Sequence, residues 1–147
     1  MAKHWVKSVR TLDCNGGPLL DRIDIHIEVP AVPFNELTSG PPGTSSAEIR
    51  AQVEQARTIQ SKRFERSNTN TNAQMNSREL RQHCVLGKVE HELMRVAVTE
   101  MGLSARAHDK ILRVARTIAD LESASTIQAH HVQEAINYRM LDRDIFS

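Results

Sequence analysis

Two arginines in this sequence stand where local rules do not account for them, and a guanidinium is a phosphate-recognising group. Arg106 lies in "GLSARAHDK". With Ser104 as helix cap it takes the second helical position, where the helix dipole disfavours a cation. Its neighbour four residues on is Lys110, and two cations at that spacing cost roughly a few tenths of a kcal/mol. A bound anion reverses the sign, because a helix N-terminus and a guanidinium both favour phosphate. Asp109, three residues on, is the ordinary structural partner that competes with this reading. Arg22 lies in "GPLLDRIDIHIEVP", between Asp21 and Asp24. It is either held by those acids or aimed at a group the chain does not contain.

Other reactive residue types form weaker patterns. His83 and Cys84 with His91, and the pair His130–His131, match no compact zinc spacing, so no metal site is expected. A satisfied or solvated histidine accounts better for His130 and His131. No Ser/His/Asp or Cys/His arrangement for nucleophilic catalysis is readable. Arg57, Lys62, Arg63 and Arg66 are interleaved with Glu54 and Glu65, which describes a solvated helix face better than a DNA track.

The elements that must position these residues follow from periodicity. Ile23, Ile25, Ile27 and Val29 alternate with Asp24, His26 and Glu28, the period-two pattern of a strand with one buried face. "TSGPPGTSS", residues 38–46, is a Pro/Gly-rich connector. Helices are expected from Ser45 or Ser46 to about Arg66, over 77–83 with Asn76 as cap and Glu79 three residues later, and from near Val89 to Gly102. A fourth helix follows the Ser104 cap, and a fifth spans "AHHVQEAINYRML". On the first, Ala47, Ile49 or Arg50, Val53, Ala56, Ile59 and Phe64 make a thin apolar stripe. On the fourth, Ala107, Ile111, Val114, Ala115 and Ile118 form one side and Arg106, Lys110, Arg113 and Arg116 the other. There Asp109 can meet Arg113, and Arg116 can meet Asp120. "SNTNTNAQMN" reads as a polar loop with little reason to order itself.

The fold class expected is therefore mostly α, a helical bundle preceded by a short β-strand segment. The 147 residues suffice for one modest core, and 19 basic against 18 acidic residues leave a net charge of +1, so bulk charge argues for neither nucleic acid nor membrane. Aromatic residues, 3% of the chain, are too few for a base-stacking surface. Cys14 and Cys84 read as reduced thiols of a cytoplasmic protein, and no signal peptide or membrane span is visible.

"GPLLDRIDIHIEVP", followed much later by "GLSARAHDKILRVARTIADLE" and "IQAHHVQEAINYR", resembles the magnesium-chelatase-like AAA+ ATPases of the YifB/ComM type, over about residues 17–143. The resemblance implies four segments: a non-matching 1–16, the tail of the AAA+ core at 17–37, a linker at 38–46 and a C-terminal helical lid at 47–147. It implies that Arg22 is the arginine finger, acting in trans on a neighbouring subunit's ATP, and that Arg106 is the sensor 2 residue, which reads nucleotide from the lid. It also implies ATP and Mg2+ as cofactors of the full-length protein, a homo-oligomeric ring, the missing AAA+ core as partner, and DNA as a candidate partner. No G-x-x-x-x-G-K-S/T loop and no acidic strand end occurs here, so the chain alone is not expected to hydrolyse ATP or to bind a cofactor tightly. Two alternatives stay open. One is a stand-alone helical module binding protein or DNA, and the other is the motor subunit of a metal chelatase.

Overall fold

The computed structural model describes residues 22–27, 29–31 and 43–139. Cys14, the stretch 17–21, Glu28, residues 32–42 and Met140 lie outside the described residues, as do most of the expected segment boundaries. Five α-helices and one 3-10 turn account for the regular structure among those described: α1 (Ser46–Arg63), the turn Asn72–Gln74, α2 (Ser77–His83), α3 (Lys88–Met101), α4 (Ala105–Leu121) and α5 (Ala129–Asn137).

Local chemistry sets most of the helix ends. Ser45 and Glu48 form a capping box at α1: the Glu48 amide donates to Ser45 Oγ (3.3 Å), and the Ser45 amide donates to Glu48 Oε2 (2.8 Å). Asn76 and Glu79 repeat the device at α2. Helix α3 stops at Gly102, whose φ of +62° lies in the left-handed region that glycine tolerates. At α4 the Ala107 amide donates to Ser104 Oγ (3.2 Å).

Helix α4 is the centre of the packing. It lies against α5, α1, α2 and the 3-10 turn, and α5 in turn packs on α3. Ala107, Ile111, Ala115 and Ile118 are buried along its inner side, as periodicity predicts, and meet Val132, Ala135 and Ile136 of α5 and Met94 and Ala97 of α3. Phe64, Met75, Leu80 and Cys84 close the other end of this core.

Four expectations need correction. The 67–76 stretch is not an idle polar loop: Thr69 and Asn72 are buried and hydrogen-bonded. Arg116 and Asp120 do pair, but in the interior rather than on a solvated face. Arg113 does not take Asp109; it donates to the carbonyl of Met75 (2.8 Å). The α1 stripe holds only at its C-terminal end, where Ala56 and Phe64 are buried, while Ile49 and Val53 are exposed.

The 22–31 segment differs as well. No strand forms among its described residues, and Ile23, Ile25, Ile27 and Val29 are 39, 45, 66 and 79% exposed rather than buried. A strand needs a backbone neighbour along its length, and here the segment lies instead against α4 and the end of α5, where the His26 amide donates to the Tyr138 carbonyl (2.9 Å). No helix among the described residues is long and apolar enough to cross a membrane.

Candidate functional site

The two arginines singled out by their sequence positions both present exposed side chains. Arg106 sits in the first turn of α4, directly after Ala105, and Arg22 in a turn that leads to the 23–27 segment. These regions are fastened together. One helical turn beyond Arg106, Lys110 Nζ donates to the Ile23 carbonyl (3.2 Å) and pairs with Asp24 Oδ1 (2.8 Å). Arg139, which follows α5 and is buried, donates to the same carbonyl through Nη1. Of the two acids flanking Arg22, Asp24 is thus engaged by Lys110, and Asp21 lies outside the described residues. Asp109, the local alternative partner for Arg106, has its Oδ1 3.2 Å from His108 Nδ1.

Between the 24–27 segment and the helices runs a groove of about 400 Å3. Ile25 and Ile27 form one wall, and Val114, Ile118, Leu121 and Tyr138 form the other. Its lining is mainly apolar, so it offers shape and hydrophobic contact rather than an anion cradle.

Behind this surface lies a polar core that sequence reasoning missed in part. The fully buried Asp120 carboxylate accepts from Arg63 Nη1 (2.6 Å), Asn72 Nδ2 (2.7 Å) and Arg116 Nε (3.1 Å). Arg116 also donates to the carbonyls of Ala124 and Ser125. Burial by itself raises the Asp120 pKa, but the hydrogen bonds from Arg63 and Asn72 and the two guanidinium charges outweigh it and hold the carboxyl below its ordinary value. Only the Arg116–Asp120 spacing was visible in the sequence; Arg63 and Asp120 are 57 positions apart.

The histidine pair acquires a third member, Glu122. The Glu122, His130 and His131 ligand atoms all lie within 4.8 Å of one another, and Glu122 Oε2 is 2.9 Å from Nε2 of each ring. The Gln128 amide donates to His131 Nδ1 (2.9 Å). A backbone N–H can only donate, so Nδ1 accepts and the proton of this buried ring sits on Nε2, facing Glu122. That nitrogen has no lone pair for a cation, and metal-bound histidines carry their proton on the opposite nitrogen. The trio therefore serves as a brace between the end of α4 and the start of α5. Its hydrogen bonds, His130's first, pull the Glu122 carboxyl below its usual value.

The His83–Cys84–His91 constellation does not assemble as chemistry. Cys84 is buried with its Sγ toward the Leu112 carbonyl (3.7 Å), and burial pushes its thiol up to about 11. His83 stands edge-on to Phe64, and burial followed by the nearby Arg63 charge lowers its pKa. The basic residues Arg57, Lys62 and Arg66 are exposed, but Arg63 turns inward.

A family model described as magnesium chelatase, subunit ChlI C-terminal, matches residues 43–139. Among curated proteins, the chain is 39% identical over 136 residues to "Competence protein ComM" of Haemophilus influenzae, covering 92% of this chain and 26% of the relative. It is 39% identical over 138 residues to YifB of Escherichia coli, covering 93% and 26% of the two chains. A Mycobacterium tuberculosis relative is 29% identical over 123 residues. The chain spans about a quarter of the length of the curated relatives it matches.

Proposed function

The chain belongs to the magnesium-chelatase-like ComM/YifB family, as its C-terminal domain, and from that premise we infer that it works as the helical lid of a larger AAA+ ATPase. In this reading Arg106 is the sensor 2 residue, turned toward nucleotide held by the ATPase core. Arg22 is the arginine finger, entering the ATP site of the neighbouring subunit in a homo-oligomeric ring and stabilising charge on the transferred phosphoryl group. ATP and Mg2+ belong to the core, which supplies the phosphate loop. This chain contributes guanidinium groups and the opening and closing of the lid. Processing of DNA is the work we assign to the motor, in keeping with the competence role in ComM's name.

One observation carries the reading. Arg22 and Arg106 are both exposed at the surface of the domain. The regions that carry the two are joined through Lys110, so both guanidinium groups lie on one connected surface. The partly exposed isoleucines of 23–27 support the same view, since an alternating apolar face left in part to solvent offers a surface for a further contact.

The test uses the longer protein that carries the core. Arg22→Ala should lower ATP turnover by about 10^3-fold, the usual worth of such a residue, and leave nucleotide binding within a few-fold. Turnover equal to wild type removes the finger assignment. Stimulation of the same ATPase by branched DNA supports the DNA motor, and indifference to it favours the chelatase-type motor acting on a protein.

A further inference from the structure

We propose that Lys110 is a positioning residue: together with Arg139 it clamps the Ile23 carbonyl and fixes the Arg22 turn on the helix that carries Arg106. The proposal rests on the reading of both arginines as nucleotide-facing groups. It adds the device that makes them move together.

The 23–27 segment gains from such a device because its isoleucines are only partly covered. Ile23, Ile25 and Ile27 keep 39, 45 and 66% of their surface exposed, so hydrophobic burial fastens the segment weakly. Among the described residues, polar contacts join two consecutive residues, Ile23 and Asp24, to α4 and to Arg139. Lys110 Nζ reaches the Ile23 carbonyl and the Asp24 carboxylate across 87 and 86 positions of sequence, at 3.2 and 2.8 Å. Arg139 Nη1 reaches the same carbonyl across 116 positions. The His26 amide adds a backbone bond to the Tyr138 carbonyl, next to Arg139.

The energetics favour Lys110 as the centre of this arrangement. Its side chain is only 14% exposed, and an ammonium that far from water must find acceptors. Two are supplied by the segment itself. Asp24 is 58% exposed, so its charge is partly screened and it can be removed without opening the core. The clamp also explains the local puzzle in α4. Arg106 and Lys110 stack two cations at i,i+4, and the Lys110 charge is offset by Asp24. From Arg106 to the Arg22 turn there is one helical turn and one ion pair, a short path along which a shift of either group reaches the other.

The experiment compares Lys110→Met, Lys110→Arg and Asp24→Asn. In this chain, amide hydrogen exchange at His26 should rise about tenfold in Lys110→Met and in Asp24→Asn, and return to within about threefold of wild type in Lys110→Arg. Amides of Ala115 and Val132, in the core, serve as the folding control and should stay within about twofold. In the longer protein, Lys110→Met should lower kcat for ATP about tenfold with KM within about twofold, the pattern of a lost alignment rather than lost binding. Unchanged His26 exchange in Lys110→Met with the core amides intact overturns the clamp. Faster exchange with unchanged kcat overturns its positioning role. If Lys110→Met loosens the core amides as well, Asp24→Asn decides by the same two criteria. Arg22→Ala measured in parallel separates the two ideas: if that variant keeps full turnover, the finger reading fails and the positioning role falls with it, whereas loss of turnover in Arg22→Ala alone condemns only the positioning role of Lys110.

Discussion

Replacing Asp120 by Asn tests whether the buried polar hub holds the domain together. The side chain keeps its shape and one acceptor oxygen but loses its charge, and it points an N–H toward donors that already face it. Arg116 is nearly as buried as Asp120, with 3% of its side chain exposed, and Arg63 keeps 13%. Breaking one partner of a buried pair costs about 3–5 kcal/mol. The residual exposure of Arg63 argues for the lower end, about 3 kcal/mol. For a domain of about a hundred residues, each kcal/mol moves the melting point by roughly 4–8 °C, so a fall of roughly 12–24 °C is expected. Far-UV circular dichroism against temperature at pH 7 measures it. Glu92→Gln, which breaks the exposed Glu92–Arg95 pair, is the control and should leave the midpoint in place. The pH dependence provides a second signature. The folded Asp120 pKa lies below the unfolded value of about 3.9, so between the two the unfolded chain binds more protons. The hub's stabilisation is complete above about pH 4 and is lost as pH falls through the folded value. Asp120→Asn should lack that part of the acid transition. A variant melting within about 3 °C of wild type at pH 7 would show that the hub is tolerated rather than relied upon.

Two further outcomes are expected. Gly102→Ala places a Cβ in open space but at a φ of +62°, so strain alone should cost roughly 1 kcal/mol and lower the melting point by roughly 4–8 °C; an unchanged midpoint would refute the strain argument. In a Cys14→Ser background, native Cys84 at pH 8 should react with Ellman's reagent at least about a hundredfold more slowly than in urea, because a pKa of about 11 leaves about 0.1% thiolate and the thiol is buried. Comparable rates would contradict the buried placement.

What the sequence made legible was local. Asn76 with Glu79, Gly102 and Ser104 each act within one turn of chain, and the structure has α2, α3 and α4 where these residues put them. The apolar side of α4 was equally readable, because α4 is long and its period regular. What failed was whatever depends on a distant partner. Asn72 looked idle because its acceptor, Asp120, is 48 positions away, and Arg63 looked like one more surface cation for the same reason. Glu122 could not be attached to His130 and His131 without knowing how α4 meets α5. The strand pattern at 23–29 states what those residues would do beside another strand, and among the described residues no such neighbour is present. Arg22 and Arg106 were singled out by their sequence positions, but the tie between their regions through Lys110 and Asp24 is a fact of the fold alone.

The first ten residues of α1, Ser46 to Gln55, are exposed on every side of the helix, and the buried positions begin only at Ala56. At 1.5 Å of rise per residue they make an arm of about 15 Å from the first buried position, braced at its base where Gln55 Nε2 donates to Ser123 Oγ (2.7 Å). A rotation of the body by about 10° carries the tip of such an arm through about 2.6 Å, close to half a helical pitch. Ile49 and Val53 ride on that arm, so a small tilt of the domain becomes, at its far end, a displacement large enough to make or break a side-chain contact.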